Sequence, residues 1–64
     1  MDPDANLREQ EEILSRNAAT VGRIDRADRD RLIELRQALY AWIRDGGFAP
    51  DWEQAPRARK FYGR

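Results

Sequence analysis

The side chains of this 64-residue chain that could do covalent chemistry are few, and the carboxylates come first. Glu9 and Glu12 stand three apart, the spacing that sets two side chains next to each other on a helix. Glu11 with Glu12, and Asp28 with Asp30, are too close in sequence to face one another on a helix. Nothing apolar is placed around these acids to raise a pKa and make one of them a proton donor. Ser15 and Thr20 have no base to activate them, because the chain contains no His. It contains no Cys either, which removes disulfides, thiol nucleophiles and zinc-thiolate sites. Asp25, Asp28 and Asp30 do not match a calcium loop, which needs a glycine at its sixth position and a glutamate at its twelfth. The expectation is a protein that is not an enzyme and holds no cofactor or metal.

Binding chemistry has better candidates. Trp42, Phe48 and Trp52 are dense aromatics, the residue types that anchor interfaces and equally the ones a tiny fold uses for its core. Ile33 and Tyr40, seven apart, form a second apolar flank beside them. The candidate partner-binding set is therefore Ile33, Tyr40, Trp42, Phe48 and Trp52. A second set lies at the C-terminus, where Arg57, Arg59, Lys60 and Arg64 accompany Phe61 and Tyr62. Cations mixed with rings suit a phosphate-and-stacking contact with a single-stranded nucleic acid, and they suit an acidic protein surface as well. The other arginine-rich run, Arg23 to Arg31, interleaves Asp at each step and cancels the field that phosphate attraction requires.

Two helices must position these residues. Leu32, Leu35, Leu39, Trp42 and Ile43 recur at three-four spacing and predict a helix over about 26–45, capped by Asp25 or Asp28. Gly46 and Gly47 stop it, and Phe48 is expected to fold back on Ile43 or Leu39. Four-apart pairs, Asp25 with Arg29 and Arg26 with Asp30, would support its first turns. A first helix is expected over about 3–21, capped by Asp2 with Pro3 following, or by Asn6 with Glu9. Leu7, Leu14 and Val21 form its seam with Ala18 beside them and Ile13 on the flank, and Gly22 is its terminator. Gln10, Glu11 and Asn17 interrupt that seam and make it a weak face. Residues 48–56 form a Trp-bearing segment after Pro50, with Trp52 turned towards Trp42. Residues 57–64 are expected to be a basic flexible tail.

Bulk properties limit the rest. One domain is all this length allows, and a chain near this size buries only about 60% of its unfolded surface. Formal charge is zero, but residues 1–20 hold five acids against two Arg, whereas residues 57–64 hold four cations and no acid. No apolar run approaches the roughly 18 residues of a membrane span, and the N-terminus is acidic rather than signal-like, so a cytoplasmic location is expected.

The run Asp-Pro-Asp-Ala-Asn-Leu-Arg at 2–8 joins the pattern Leu35, Ala38-Leu39, Trp42-Ile43, Gly46-Gly47-Phe48, Pro50 and Trp52. Together they resemble a family of very small uncharacterised proteins encoded by actinobacteriophages and their actinobacterial hosts. The resemblance spans roughly residues 2–52, its most specific element being Trp-x3-Gly-Gly-Phe-x-Pro. Asp4 departs from the family's Asn, Ile43 and Ala49 from its Leu, and the basic tail lies beyond the likeness. It implies a small helical protein, no established biochemistry and, for a phage-encoded chain, the host bacterial cytoplasm.

The expected fold is all-α, an antiparallel two-helix hairpin with a short C-terminal segment packed back on the second helix. A flank left uncovered by so small a chain predicts a homodimer that completes a helical bundle. The expected role is a non-enzymatic interaction protein acting on a host or phage protein. A small nucleic-acid-binding accessory using the basic tail is the alternative, and no membrane partner is expected.

Overall fold

Residues 1–18 and 23–64 are described by the computed structural model. The first helix, α1, runs Pro3–Arg16. Asp2 begins it: Oδ1 accepts the amides of Asp4 and Ala5 at 3.1 Å each, and Pro3 fills the first helical position, where no donor is needed. Asn6 is no cap but lies inside the helix. The helix stops five residues short of the expected end. At its C-terminus Asn17 turns its amide back onto the Ile13 carbonyl at 2.8 Å and also donates to Asp28 at 2.9 Å. The Asn17 carbonyl oxygen then accepts the Asp25 amide at 3.2 Å. An Asn that satisfies its own helix end and the start of the next element competes well with another helical turn. Ala18 is an exposed turn residue, and Thr20, Val21 and the expected stop at Gly22 lie outside the described residues.

The second helix, α2, runs Arg26–Arg44, with Asp25 accepting the amides of Ala27 and Asp28 at 3.1 and 3.4 Å. Asp28 is thereby free to pair with Arg16 at 2.7 Å. Arg31 pairs with Glu9 at 2.7 Å and also with Glu34, while the Leu35 carbonyl accepts from Asn6 at 3.1 Å. These ties run in opposite sequence directions, as an antiparallel hairpin requires. The anticipated pairs Asp25–Arg29 and Arg26–Asp30 are not among the ion pairs of the described residues; charges reach across the hairpin instead.

The end of α2 is a Schellman turn. Gly46 adopts φ +91°, the Gly46 amide donates to Ile43 at 3.1 Å, and the Gly47 amide donates to Trp42 at 2.8 Å. Gly47 is needed for a different reason: the Trp42 indole lies against its backbone, where a Cβ would overlap the ring. The indole Nε1 donates to the Phe48 carbonyl at 2.9 Å, and the two rings meet edge to face at 5.5 Å. Phe48 thus meets Trp42, lies outside the buried cluster that holds Leu39, and remains 65% exposed.

Beyond Pro50 come two 3-10 turns, Trp52–Gln54 and Ala58–Tyr62. The second corrects the expectation of a loose tail and of an ordered part closing at Pro56. Ala55 and Ala58 are fully buried and form one core cluster with Leu7 and Leu39, flanked by Trp42, Trp52 and Tyr62. A second cluster, Ile13 with Leu32 and Leu35, fills the other half of the hairpin. Small residues at 55 and 58 let the backbone of the chain's end come close to the helices. Its polar anchors are on α1: Asp4 accepts the Asp51 amide at 2.7 Å, and Glu11 accepts the amides of Arg57 and Ala58 at 2.9 Å each. No helix of the described residues is long and apolar enough to cross a membrane.

Candidate functional site

Three of the five acids first considered for catalysis, Glu9, Glu11 and Asp28, are engaged in structure, while Glu12 and Asp30 are exposed. Glu9 is held by Arg31, and this hydrogen bond keeps its pKa below the ordinary value against a smaller opposing effect of burial. Partial burial raises the pKa of Glu11, but hydrogen bonds from Ala58 and Arg57 outweigh it and leave the carboxyl lowered. Asp28 is lowered to about 2 by Arg16 and then Asn17. All three shifts run opposite to what a general acid needs. Among the described residues no three metal-ligating side chains converge.

The aromatic candidates divide into separate environments. Trp42 and Phe48 form the pair at the end of α2. Trp52 does not turn to Trp42; its ring partner is Tyr62, at 5.1 Å, with the Arg64 guanidinium 5.5 Å from its centroid. Tyr62 also packs on Tyr40 at 5.4 Å and donates its hydroxyl to Gln10 at 3.1 Å. Burial pushes the Tyr62 phenol above its ordinary pKa, against a smaller lowering by the Gln10 hydrogen bond. Phe61 sits edge-on to Tyr40 at 6.0 Å and carries Arg36 over its face at 3.9 Å.

The C-terminal set, read from sequence as one contact surface, is therefore partly structural. Arg57 is bound to Glu11 at 2.9 Å, and Tyr62 is an internal strut. Arg59 is half-buried and Lys60 exposed. Part of the area that a second copy would have covered, the flank carrying Tyr40, is covered by the chain's own end.

What remains open is one face. Ile33, Tyr40 and Phe61 are 42, 53 and 48% exposed, although all are large and apolar. Ile33, Tyr40 and Phe61 line a shallow groove of about 570 Å³ with Arg36, Gln37, Ala41 and Arg44. A second groove continues from Ile33, Arg36 and Phe61 past Leu32 and Arg29 to Ile24 and Arg23. The sequence reading singled out Ile33 and Tyr40 but missed their neighbours. Arg29, Ile33, Arg36, Tyr40 and Arg44 follow each other at three or four residues, so the periodicity that found the two apolar members contains the three cations as well.

The chemistry of this face is apolar contact bordered by positive charge. No protein-family model, curated protein or solved structure matches this chain.

Proposed function

We propose that this is a non-enzymatic interaction protein that docks on another protein through the face formed by Ile33, Tyr40 and Phe61. The observation that supports it is the contiguous exposure of these three side chains along two connected grooves; the other exposed large apolar side chains of the described residues, Met1 and Phe48, line neither groove. Exposed apolar area gathered in one patch marks a docking surface. The resemblance of the Trp42–Trp52 region to phage and actinobacterial proteins adds a host or phage protein, in the bacterial cytoplasm, as the partner.

The nucleic-acid alternative has less support. Arg57 and Arg64 are engaged within the chain, and the rings of Phe61 and Tyr62 pack against other side chains. Deleting residues 57–64 would remove Ala58 from the core, so the cleaner test is Arg59→Ser with Lys60→Ser in a gel-shift titration at low salt. Loss of a shift in that variant would favour nucleic acid. The interaction reading is tested by pull-down from a bacterial lysate, comparing wild type with Ile33→Ser/Tyr40→Ser, the fold of each checked by circular dichroism. A stoichiometric partner lost from the folded variant is the expected result. A partner set identical in both would refute the use of this face. Homodimerisation would use the same area, and sedimentation over a concentration series reads it directly.

A further inference from the structure

The charge around the open face is of one sign. Every charged side chain lining the two connected grooves is a cation, and no carboxylate of the described residues lines either groove. Residues 19–22, Ala-Thr-Val-Gly, carry no charge that could alter this. The protein as a whole has equal numbers of acids and bases, so this face departs sharply from the average. Arg36 makes no ion pair among the described residues, and its Nε has no hydrogen-bond partner. Arg44 has one ion-pair partner among the described residues, the exposed Asp45 at 3.4 Å.

We infer that the occupant is an acidic amphipathic segment of the partner protein, its apolar side chains on Ile33, Tyr40 and Phe61 and its carboxylates on Arg29, Arg36 and Arg44. This deepens the interaction reading and rests on it. Charge complementarity selects an anion, and the apolar floor selects a peptide over a nucleic acid. A base stacks on an open ring face, whereas one face of Phe61 is covered by Arg36 at 3.9 Å and Tyr40 packs against both Phe61 and Tyr62. Aliphatic side chains need only the groove. From Arg29 to Arg44 the stripe is about 23 Å long at the rise of an α-helix, so a helical segment of about 15 residues spans it.

Selection from a random peptide library of about that length, on the immobilised full chain, tests the inference. Recovered peptides should be net acidic with apolar residues at helical spacing, and should bind Arg29→Glu/Arg44→Glu at least tenfold more weakly than wild type. Both positions are exposed, so the variant should keep its helical circular dichroism. Their affinity should also fall as salt rises. Neutral or basic peptides, no retained peptide, or affinity indifferent to the charge reversal would overturn it. So would a single-stranded oligonucleotide that displaces the peptides at equal concentration, or a dimer abolished by Ile33→Ser. Peptides without acids that still require Ile33 would sink the acidic partner alone. Recovery unchanged by Ile33→Ser would sink the docking face itself.

Discussion

Changing Tyr62 to Phe removes one hydroxyl and keeps the ring, which isolates the bond that ties the chain's end to the hairpin. That hydroxyl donates to Gln10 Oε1 at 3.1 Å, Gln10 Nε2 donates to Asn6 at 2.7 Å, and Asn6 donates to the Leu35 carbonyl at 3.1 Å. Gln10 is fully buried. In Tyr62→Phe its oxygen loses the partner shown here, and a buried acceptor left unsatisfied costs about 1–3 kcal/mol. The ring contacts with Tyr40 and Trp52 survive, so the lower half of that range applies, about 1–2 kcal/mol. For a domain this small each kcal/mol corresponds to about 4–8 °C in Tm. Thermal and urea denaturation followed by circular dichroism should show a drop of about 5–15 °C and a lower midpoint at unchanged slope. Gln10→Leu/Tyr62→Phe, in which both partners become apolar, should lose less than the two single changes added together. A Tm within about 1 °C of wild type for Tyr62→Phe would refute the reasoning. It is the result a loose basic tail would give.

Further outcomes follow from the other contacts. Gly47→Ala forces Trp42 off the turn, with about 1–3 kcal/mol lost and a red-shifted tryptophan emission. Gly46→Ala, at φ +91°, should cost about 1–2 kcal/mol through backbone strain, leaving the emission closer to wild type. Glu11→Gln should destabilise by about 1 kcal/mol at neutral pH, because it weakens the bonds to Arg57 and Ala58. The folded pKa of Glu11 lies below its ordinary 4.5, so its contribution is complete above that value and is lost as pH falls through the folded one. The gap between wild type and Glu11→Gln in urea titrations should therefore close in acid. Asp28, lowered to about 2, contributes fully above its ordinary 3.8 and loses that contribution as pH falls through the folded value, so Asp28→Asn should differ from wild type clearly at pH 5 and much less at pH 2.

How much of this was legible depended on whether the cause was local. The α2 stripe, the Asp2-Pro3 start and the double-glycine stop are written in a few adjacent residues, and each sits where the pattern placed it. The end of α1 was not legible, because Asn17 closes the helix while also holding Asp25 and Asp28, residues of another element. Docking of residues 57–64 was obscured by composition: cations next to rings read as a solvent-facing tail. The signal lay in Ala55, Ala58 and Tyr62, two small residues and a ring at three and four apart, the spacing of one face turned inward. Gln10 looked like a defect in the α1 seam. Its amide nitrogen finds Asn6 one turn back, but its oxygen is satisfied by Tyr62, to which nothing in the local sequence points.

The charge asymmetry of the chain then takes on a definite sense. Its acidic head does not wait for a foreign cation. Asp2 caps its own helix, Asp4 holds Asp51 and Gln54, Glu9 holds Arg31, and Glu11 holds the start of the final turn. The head therefore folds the basic end back onto the hairpin, which is how so short a chain without cross-links adds apolar cover from its own end. Four of the five acids on α1 and its approach are thus engaged within the chain, Glu11 with the basic end itself, and none of the four lines the outer grooves beside α2. Arg29 and Arg36 on that side have no ion-pair partner among the described residues. A chain neutral in sum thus ends with its positive field concentrated on the face where Ile33, Tyr40 and Phe61 are exposed. Internal charge satisfaction on one side leaves cations facing outward on the other, and reversing the sign at Arg29 and Arg44 should abolish the proposed binding of acidic peptides while leaving the internal pairs of Glu9, Glu11 and Asp28 intact.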